Sequence, residues 1–122
     1  MKIRIYYEDT DSGGVVYHTN YIAFCERARS EIFFQNGIKF ENEGFIVRHI
    51  DASFYSPARL GDLIEVKTHI DSIKRSFVNV TQQIYKDDVL LFEAKTKLVF
   101  LKDWKISTIP KNYIKIFDEY KS

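Results

Sequence analysis

Residues 6–21 read YYEDTDSGGVVYHTNY, the most informative stretch of this chain. It separates an alternating strand pattern over residues 2–8 from a longer helical pattern. A chain that leaves a strand, turns at the paired glycines and enters a helix near Thr19 or Asn20 would point unpaired helix N–H groups toward Asp11. The stretch therefore predicts a carboxylate beside donors that suit an oxyanion.

The rest of the chain predicts one long helix and four further strands. Apolar residues recur every three or four positions from Tyr21 to about Asn36, and Asn36-Gly37 ends this amphipathic helix. Alternating patterns predict the strands, over 45–55, 63–73, 76–86 and 89–101, and Pro110 opens a short terminal helix. One amphipathic helix can cover one face of a sheet, so we expect an α+β fold in a single domain over residues 1–122.

Composition limits the classes of function. The 18 basic and 17 acidic residues give a net charge of +1. A charge this small produces no broad positive field that could hold a nucleic-acid backbone. A single cysteine, Cys25, allows no intramolecular disulfide, and no apolar run approaches the roughly 18 residues of a membrane span. We therefore expect a cytoplasmic protein without a nucleic-acid partner.

The opening stretch also carries a family resemblance. Its pattern Tyr-x-x-Asp-Thr-Asp-x-x-Gly-Val-Val-Tyr-His-x-x-Tyr resembles the opening motif of hotdog-fold acyl-CoA thioesterases, in the branch of the 4-hydroxybenzoyl-CoA and Tol–Pal-associated (YbgC-type) enzymes. Glu-Arg-Ala-Arg at 26–29 and Pro-Ala-Arg-Leu-Gly-Asp at 57–62 extend the match. The resemblance implies a five-stranded antiparallel sheet wrapped around one central helix. It also implies a homo-oligomer, either a dimer or a tetramer of two dimers, with each site at a subunit interface.

Asp11 is the expected catalytic carboxylate, because the second aspartate of Asp-x-Asp does the chemistry in the resembled family. The alternative is a turn or capping aspartate, which is common before glycine. A calcium loop shares the Asp-x-Asp start, but its fifth position is Gly13 here and its twelfth is Asn20 instead of a bidentate glutamate. We therefore expect no metal at this loop. Thioester hydrolysis needs no other cofactor, because the thiolate leaves readily and fixed dipoles suffice to stabilise the oxyanion.

Other residues of the opening motif are expected to complete the site. The family position of His18 supplies a backbone N–H to the thioester carbonyl, while the role of its imidazole stays open. Tyr7 is expected to line the pocket or to hold Asp11 through its hydroxyl; the alternative is a core tyrosine. Gly14 and Val15 are expected to contact the substrate.

Cys25 and His18 raise the alternative of a cysteine hydrolase. Cys25 lies on the apolar stripe of the predicted helix, however, and this position predicts a buried, inert thiol. His49 and His69 fall in strand patterns with no carboxylate or cysteine at catalytic spacing, so we assign them no role.

Basic residues at two predicted turns are candidates for binding coenzyme A. Arg59 lies in the 57–62 turn, and Lys74 and Arg75 precede a Ser-Phe-Val segment before which the resembled enzymes place residues that bind the CoA phosphates. At one position where the resembled enzymes carry a basic residue, this chain has Ile73. The resemblance therefore implies weaker or rearranged binding of the CoA phosphates. The alternative is a solvated charged face.

Together these features predict an acyl-CoA thioesterase that releases a free acid and CoA, with Asp11 as nucleophile or general base. The alternative function is a non-catalytic hotdog module that binds acyl-CoA or a protein. A hotdog dehydratase is a third reading, against which the intact Asp11 loop argues. The Tol–Pal resemblance further implies an acyl carrier or envelope-related protein as a partner.

Overall fold

The computed structural model describes residues 1–121. These residues form two helices, one 3-10 turn and a sheet of five main strands with a two-residue sixth strand. In chain order the elements are β1 (Lys2–Arg4), the 3-10 turn (Tyr7–Asp9), α1 (His18–Gln35), β2 (Glu43–Phe54), β3 (Leu63–Ile73), β4 (Phe77–Lys86), β5 (Val89–Lys102), β6 (Lys105–Ile106) and α2 (Lys111–Asp118). Neither helix of the described chain is long and apolar enough to cross a membrane.

The strands form one antiparallel sheet in the order β1-β3-β4-β5-β2, and β6 pairs with the end of β5. β2 pairs with β5 along its whole length, from Glu43 opposite Lys102 to Phe54 opposite Phe92. Its other side pairs with no strand among residues 1–121. The sheet therefore ends in a long open edge, which is a ready site for pairing with another chain.

Helix α1 packs on one face of the sheet, as its amphipathic pattern predicts. Its buried residues are Tyr21, Phe24, Cys25, Ala28, Arg29 and Phe33. All of them except Arg29 belong to two apolar clusters, one around Tyr21 and Phe92 and the other around Phe33, Phe100 and Tyr113 of α2. The second cluster explains why α2 docks: its apolar side chains close the far end of the core.

A buried polar network lies between the two apolar clusters. Arg29 Nη1 donates to Gln82 Oε1 at 2.8 Å, and Gln82 Nε2 donates to the Cys25 carbonyl at 2.9 Å and to Thr68 Oγ1 at 3.1 Å. Burial lowers the pKa of the Arg29 guanidinium. These hydrogen bonds offset part of the cost of burying a charge. The sequence analysis did not predict this network.

Helix α1 begins at His18, slightly before the predicted entry, and ends where Asn36-Gly37 predicted. Gly37 adopts φ +75°, the left-handed conformation that glycine favours at a helix end. The N–H groups of Gly37 and Ile38 donate to the carbonyls of Phe34 and Phe33, both at 3.1 Å. This Schellman motif satisfies the last helix carbonyls.

Several elements differ from the prediction. β1 stops at Arg4, because the Tyr6 N–H donates to Asp9 Oδ2 at 2.9 Å and the chain coils into the 3-10 turn. Pro110 precedes α2 as its N-cap residue. β6 was not predicted, because its turn uses Asp103 and Trp104 at positive φ where glycine or asparagine would give the usual signal.

Candidate active site

The loop after the 3-10 turn is a tight hairpin that presents Asp11. The Asp11 N–H donates to the Val15 carbonyl at 2.9 Å, and the Gly14 N–H donates to the Asp11 carbonyl at 3.1 Å. Asp11 Oδ1 accepts the Gly13 N–H at 2.8 Å, and a Cβ on Gly13 would lie 3.2 Å from this oxygen. Gly14 adopts φ +79°, a left-handed conformation that glycine tolerates because it has no side chain. The paired glycines therefore hold the Asp11 carboxylate, which is exposed in the single chain.

The second motif of the sequence, at 57–62, is the platform for this loop. The Val16 N–H donates to the Ala58 carbonyl at 2.9 Å, and the Leu60 N–H donates to the Gly14 carbonyl at 3.2 Å. On the side facing α1, the Ala58 N–H donates to the hydroxyl of buried Tyr21 at 2.9 Å. Two stretches that are far apart in sequence thus fix one another, and α1 anchors both.

The start of α1 offers free backbone donors next to the Asp11 loop. The N-cap residue Tyr17 donates its N–H to the Asp9 carbonyl at 3.0 Å, and Asn20 Nδ2 donates to the same carbonyl at 2.9 Å. The N–H groups of His18 and Thr19 have no hydrogen-bond partner within residues 1–121. Unpaired N–H groups and the helix dipole favour negative charge at this point.

Asp9 and Asp11 have different environments. Asp9 is part of the scaffold, because its carboxylate accepts the Tyr6 N–H and its carbonyl ties the loop to α1. Asp11 Oδ2, by contrast, has no hydrogen-bond partner in the described chain. Asp11 is therefore the carboxylate with an oxygen available to a ligand or to water.

Aromatic side chains form an apolar surface beside the start of α1. The His18 ring lies 4.4 Å from the Tyr17 ring and 6.4 Å from the Phe54 ring, measured between centroids. Phe54 in turn packs edge-on against Tyr21 and Phe92, at 5.8 and 5.0 Å. The imidazole therefore sits between solvent and the aromatic end of β2. The sequence analysis did not single out Phe54, although its apolar position at a strand end, just before Pro57, was visible.

The structure brings together most of the predicted site residues of the first loop. Gly14, Val15 and His18 lie on the Asp11 hairpin or directly after it, and Arg59 pairs with Val15 in an isolated β-bridge. Tyr7 is 81% exposed, and its hydroxyl makes no hydrogen bond to Asp11 within the single chain. Its role stays a prediction.

Lys74 and Arg75 lie at the opposite end of the sheet. They follow β3, whose first residue adjoins the 57–62 turn, and 11 residues of strand at about 3.3 Å each separate the two ends by roughly 35 Å. Arg75 Nε donates to Thr108 Oγ1 at 3.1 Å, and both side chains are exposed. Within one chain these cations cannot reach a thioester beside Asp11.

A groove of about 620 Å³ runs between α1 and the open edge strand β2. It begins at Thr19 beside the free helix N–H groups, and its walls are mostly apolar. Residues that line it include Ile22, Phe33, Phe34, Phe40, Phe45 and Val47, together with buried Arg29. The groove therefore connects the helix start with the first residues of β2.

Cys25 is fully buried on α1, as predicted. Burial raises the pKa of its thiol to about 12, so the thiolate is absent near neutral pH. A cysteine nucleophile at this position is therefore disfavoured. No group of three or more His, Cys, Asp or Glu side chains placed to hold a metal occurs in residues 1–121.

Asp62 stabilises the platform turn, and its contribution is expected to depend on pH. Burial opposes ionisation, but the Lys86 ammonium at 2.9 Å and the Arg59 N–H at 2.8 Å outweigh it and lower the pKa of the Asp62 carboxyl. A lowered folded-state pKa stabilises the fold above the unfolded value of about 3.9, and this stabilisation is lost as pH falls through the folded-state pKa. We expect Asp62→Asn to lower the free energy of unfolding by about 1 kcal/mol at neutral pH.

Denaturant unfolding of both proteins from pH 7 to pH 3 checks this expectation. The difference in unfolding free energy should shrink at the acid end, because the wild-type carboxylate becomes protonated there. A difference that stays constant over the whole range would contradict the role of the Asp62 charge.

Comparisons with known proteins show the family and the fold of the chain. The family model of the thioesterase superfamily matches residues 13–93. The acyl-CoA thioesterase YbgC of Helicobacter pylori is 52% identical over 87 residues, which cover 70% of this chain and 65% of that protein. The acyl-CoA thioester hydrolase YbgC of Escherichia coli is 39% identical over 125 residues, which cover 96% of this chain and 93% of that protein.

A solved structure shows the same fold at lower identity. The 1,4-dihydroxy-2-naphthoyl-CoA thioesterase from Synechocystis superposes with a TM-score of 0.87 over 98% of this chain and 94% of that chain, at 21% identity. The predicted hotdog fold and the predicted family are thereby confirmed. The chain belongs to the thioesterase superfamily, and within it to the YbgC family.

Proposed function

We propose that this protein hydrolyses acyl-CoA thioesters to a free acid and CoA. The observation that carries the proposal is the pairing of an Asp11 carboxylate with one unused oxygen and the free N–H groups of His18 and Thr19 at the start of α1. A thioester carbonyl at this point would meet donors for its oxygen and a carboxylate for its carbon. The names of the YbgC relatives support hydrolysis of acyl-CoA thioesters.

The helix start would stabilise the transition state. When the thioester carbon is attacked, its oxygen gains negative charge, and fixed N–H donors stabilise this charge without reorganisation. The α1 dipole adds to this stabilisation because its positive end faces the same oxygen. The tetrahedral intermediate then collapses by breaking the carbon–sulfur bond, and CoA leaves as a thiolate.

Asp11 can act in the reaction in either of two ways. As a nucleophile, its carboxylate attacks the carbonyl carbon and expels the thiolate, and water then cleaves the resulting mixed anhydride to restore the carboxylate. As a general base, it takes a proton from a water molecule that attacks the carbon directly. Both routes need the negative charge of Asp11, so both predict the same loss on its neutralisation.

The complete site is proposed to include a second subunit. Asp11, His18 and Phe54 are all exposed in the single chain, whereas substrate sites are usually enclosed. The open edge of β2 offers the contact, since two copies can pair their β2 strands antiparallel around a twofold axis. Such pairing would bring the Lys74–Arg75 turn of one copy to the same end as Asp11 of the other.

Thiol release from a panel of substrates tests the proposed activity. The panel should contain short and long aliphatic acyl-CoA esters, an aromatic acyl-CoA and an acyl group on an acyl carrier protein, because the structure favours none of these acyl groups. Turnover of at least one ester supports the proposal. Binding without turnover on every ester would favour the alternative of a non-catalytic acyl-CoA-binding module.

Neutralising Lys74 and Arg75 is expected to weaken binding of the CoA portion and leave the chemistry intact. Contacts to phosphate act through charge, far from the carbonyl, so Lys74→Gln with Arg75→Gln should raise KM for an acyl-CoA more strongly at low salt. The same acyl group on a short thiol without the nucleotide should be almost unaffected. The paired variant Lys111→Gln with Lys115→Gln, on exposed positions of α2, controls for a general loss of charge.

The two substrates separate the alternatives for this turn. An equal loss on both would show that the turn supports folding or assembly. No loss on either would return Lys74 and Arg75 to the solvated charged face.

A further inference from the structure

Trp104 occupies a position that is unusual for a large aromatic residue. It is the only tryptophan of the chain and lies at the tip of the β5–β6 hairpin, where it is 85% exposed. Its φ of +65° follows +49° at Asp103, the left-handed pair that glycine or asparagine normally supplies in such a turn. A bulky side chain is strained in this left-handed conformation.

The indole belongs to an apolar patch at the start of β2. Trp104, Phe40 and Ile46 line one cavity of about 370 Å³, and Phe40 and Ile46 are 37% and 45% exposed. The Asp103 N–H donates to the Asn42 carbonyl at 2.7 Å, which fixes the hairpin against the start of the edge strand. We call Phe40, Ile46 and Trp104 the Trp104 patch.

The other end of the same strand carries a second exposed aromatic pair. Phe54 and Tyr55 are 51% and 57% exposed, and Phe54 lies against the His18 ring of the candidate site. β2 has 12 residues, so at about 3.3 Å each it separates the Trp104 patch from the site of its own chain by more than 30 Å. Trp104 therefore cannot contact the Asp11 site of its own subunit.

A twofold axis through the middle of β2 would join these two ends. Antiparallel pairing centred near Arg48 would place Phe54 opposite Glu43 of the second copy, so the partner's Trp104 would lie near Phe54 and His18. The same operation repeats the contact at the other end, as a closed dimer requires. The Trp104 patch and the exposed pair Phe54 and Tyr55 are complementary, because each is apolar, exposed and at one end of the open strand β2.

We propose that Trp104 forms a wall of the partner subunit's active site and contacts the acyl-CoA bound beside Phe54. The proposal rests on the proposed thioesterase function and on β2 pairing. It explains why the hairpin keeps a strained tryptophan at an exposed tip, since the indole serves a site that only the assembled protein contains.

Trp104→Gly tests the proposal through its effect on substrate binding. Glycine suits a φ of +65°, so the variant should keep the β5–β6 hairpin. Loss of one aromatic contact should also raise KM by about three- to tenfold with little change in kcat. Trp104→Phe should retain most of the affinity. An unchanged KM in Trp104→Gly would overturn the proposal.

Fluorescence gives a readout that does not depend on turnover. Because Trp104 is the only tryptophan, the emission of the Asp11→Asn protein reports on this residue alone. Saturating acyl-CoA should move the emission to shorter wavelength. A Val47→Glu variant, whose added charge is expected to prevent β2 pairing, should show no such shift. If calorimetry records acyl-CoA binding while the emission stays constant, Trp104 does not line the site, and the proposed hydrolysis stands independently.

Discussion

Replacing Asp11 with asparagine is expected to abolish nearly all thioester hydrolysis while the fold is preserved. Asparagine keeps the size and can still accept the Gly13 N–H that Asp11 Oδ1 accepts at 2.8 Å, so the hairpin should form. It removes the negative charge, which both the nucleophilic and the general-base routes need. Such roles are typically worth a factor of about 100 or more, so kcat/KM should fall by at least that much.

Asp9→Asn is the matched control for this experiment. It removes a carboxylate two residues away, on the same loop, whose oxygen serves the Tyr6 N–H. We expect a small loss of stability and a much smaller loss of rate. Circular dichroism and thermal unfolding of both variants show whether the fold is intact. A folded Asp11→Asn protein with wild-type turnover, or equal losses in both variants, would contradict the assignment of Asp11.

Breaking the edge of β2 is expected to separate the subunits and remove activity together. Val47 is 48% exposed at the middle of the open strand, close to the proposed twofold axis. Val47→Glu would place two like charges near each other in an apolar interface, which is strongly unfavourable. Light scattering should then give the mass of a monomer, and turnover should fall at least tenfold because each site loses its second subunit.

The exposed position Lys111 on α2 provides the control for an added glutamate. Lys111→Glu should keep the oligomer and the activity. A Val47→Glu monomer with full activity would show that the single chain is catalytically complete. In that case the interface would have no part in the site.

The sequence predicted local structure best where short-range physical rules apply. The Asn36-Gly37 helix end and the bounds of β3 match, because a left-handed glycine and strict alternation of side chains are local signals. The β6 hairpin was missed, because Asp103 and Trp104 adopt its turn without the residues that normally mark it. The buried contact of Arg29 with Gln82 was missed because it joins residues 53 positions apart.

The candidate site was predictable to a similar extent. The Asp11 loop and the 57–62 turn stood out as motifs, but their contact through Val15 and Arg59 became visible only in three dimensions. The groove between α1 and β2 has no sequence signal, because it depends on how far an edge strand stands from a helix. The position of Lys74 and Arg75 at the far end of the sheet likewise follows from the strand topology. If these residues bind the CoA phosphates, as predicted, they must do so at the site of a second subunit.

Product analysis in ¹⁸O-labelled water is the most direct test of the central claim that Asp11 directs hydrolysis of an acyl-CoA. Under multiple turnover, we expect the wild type to release CoA and free acid in equal amounts, with label from water in the acid. Asp11→Asn should leave the ester intact over the same period. Absence of hydrolysis by the wild type on every acyl-CoA, or labelled acid formed equally fast by Asp11→Asn, would contradict the account.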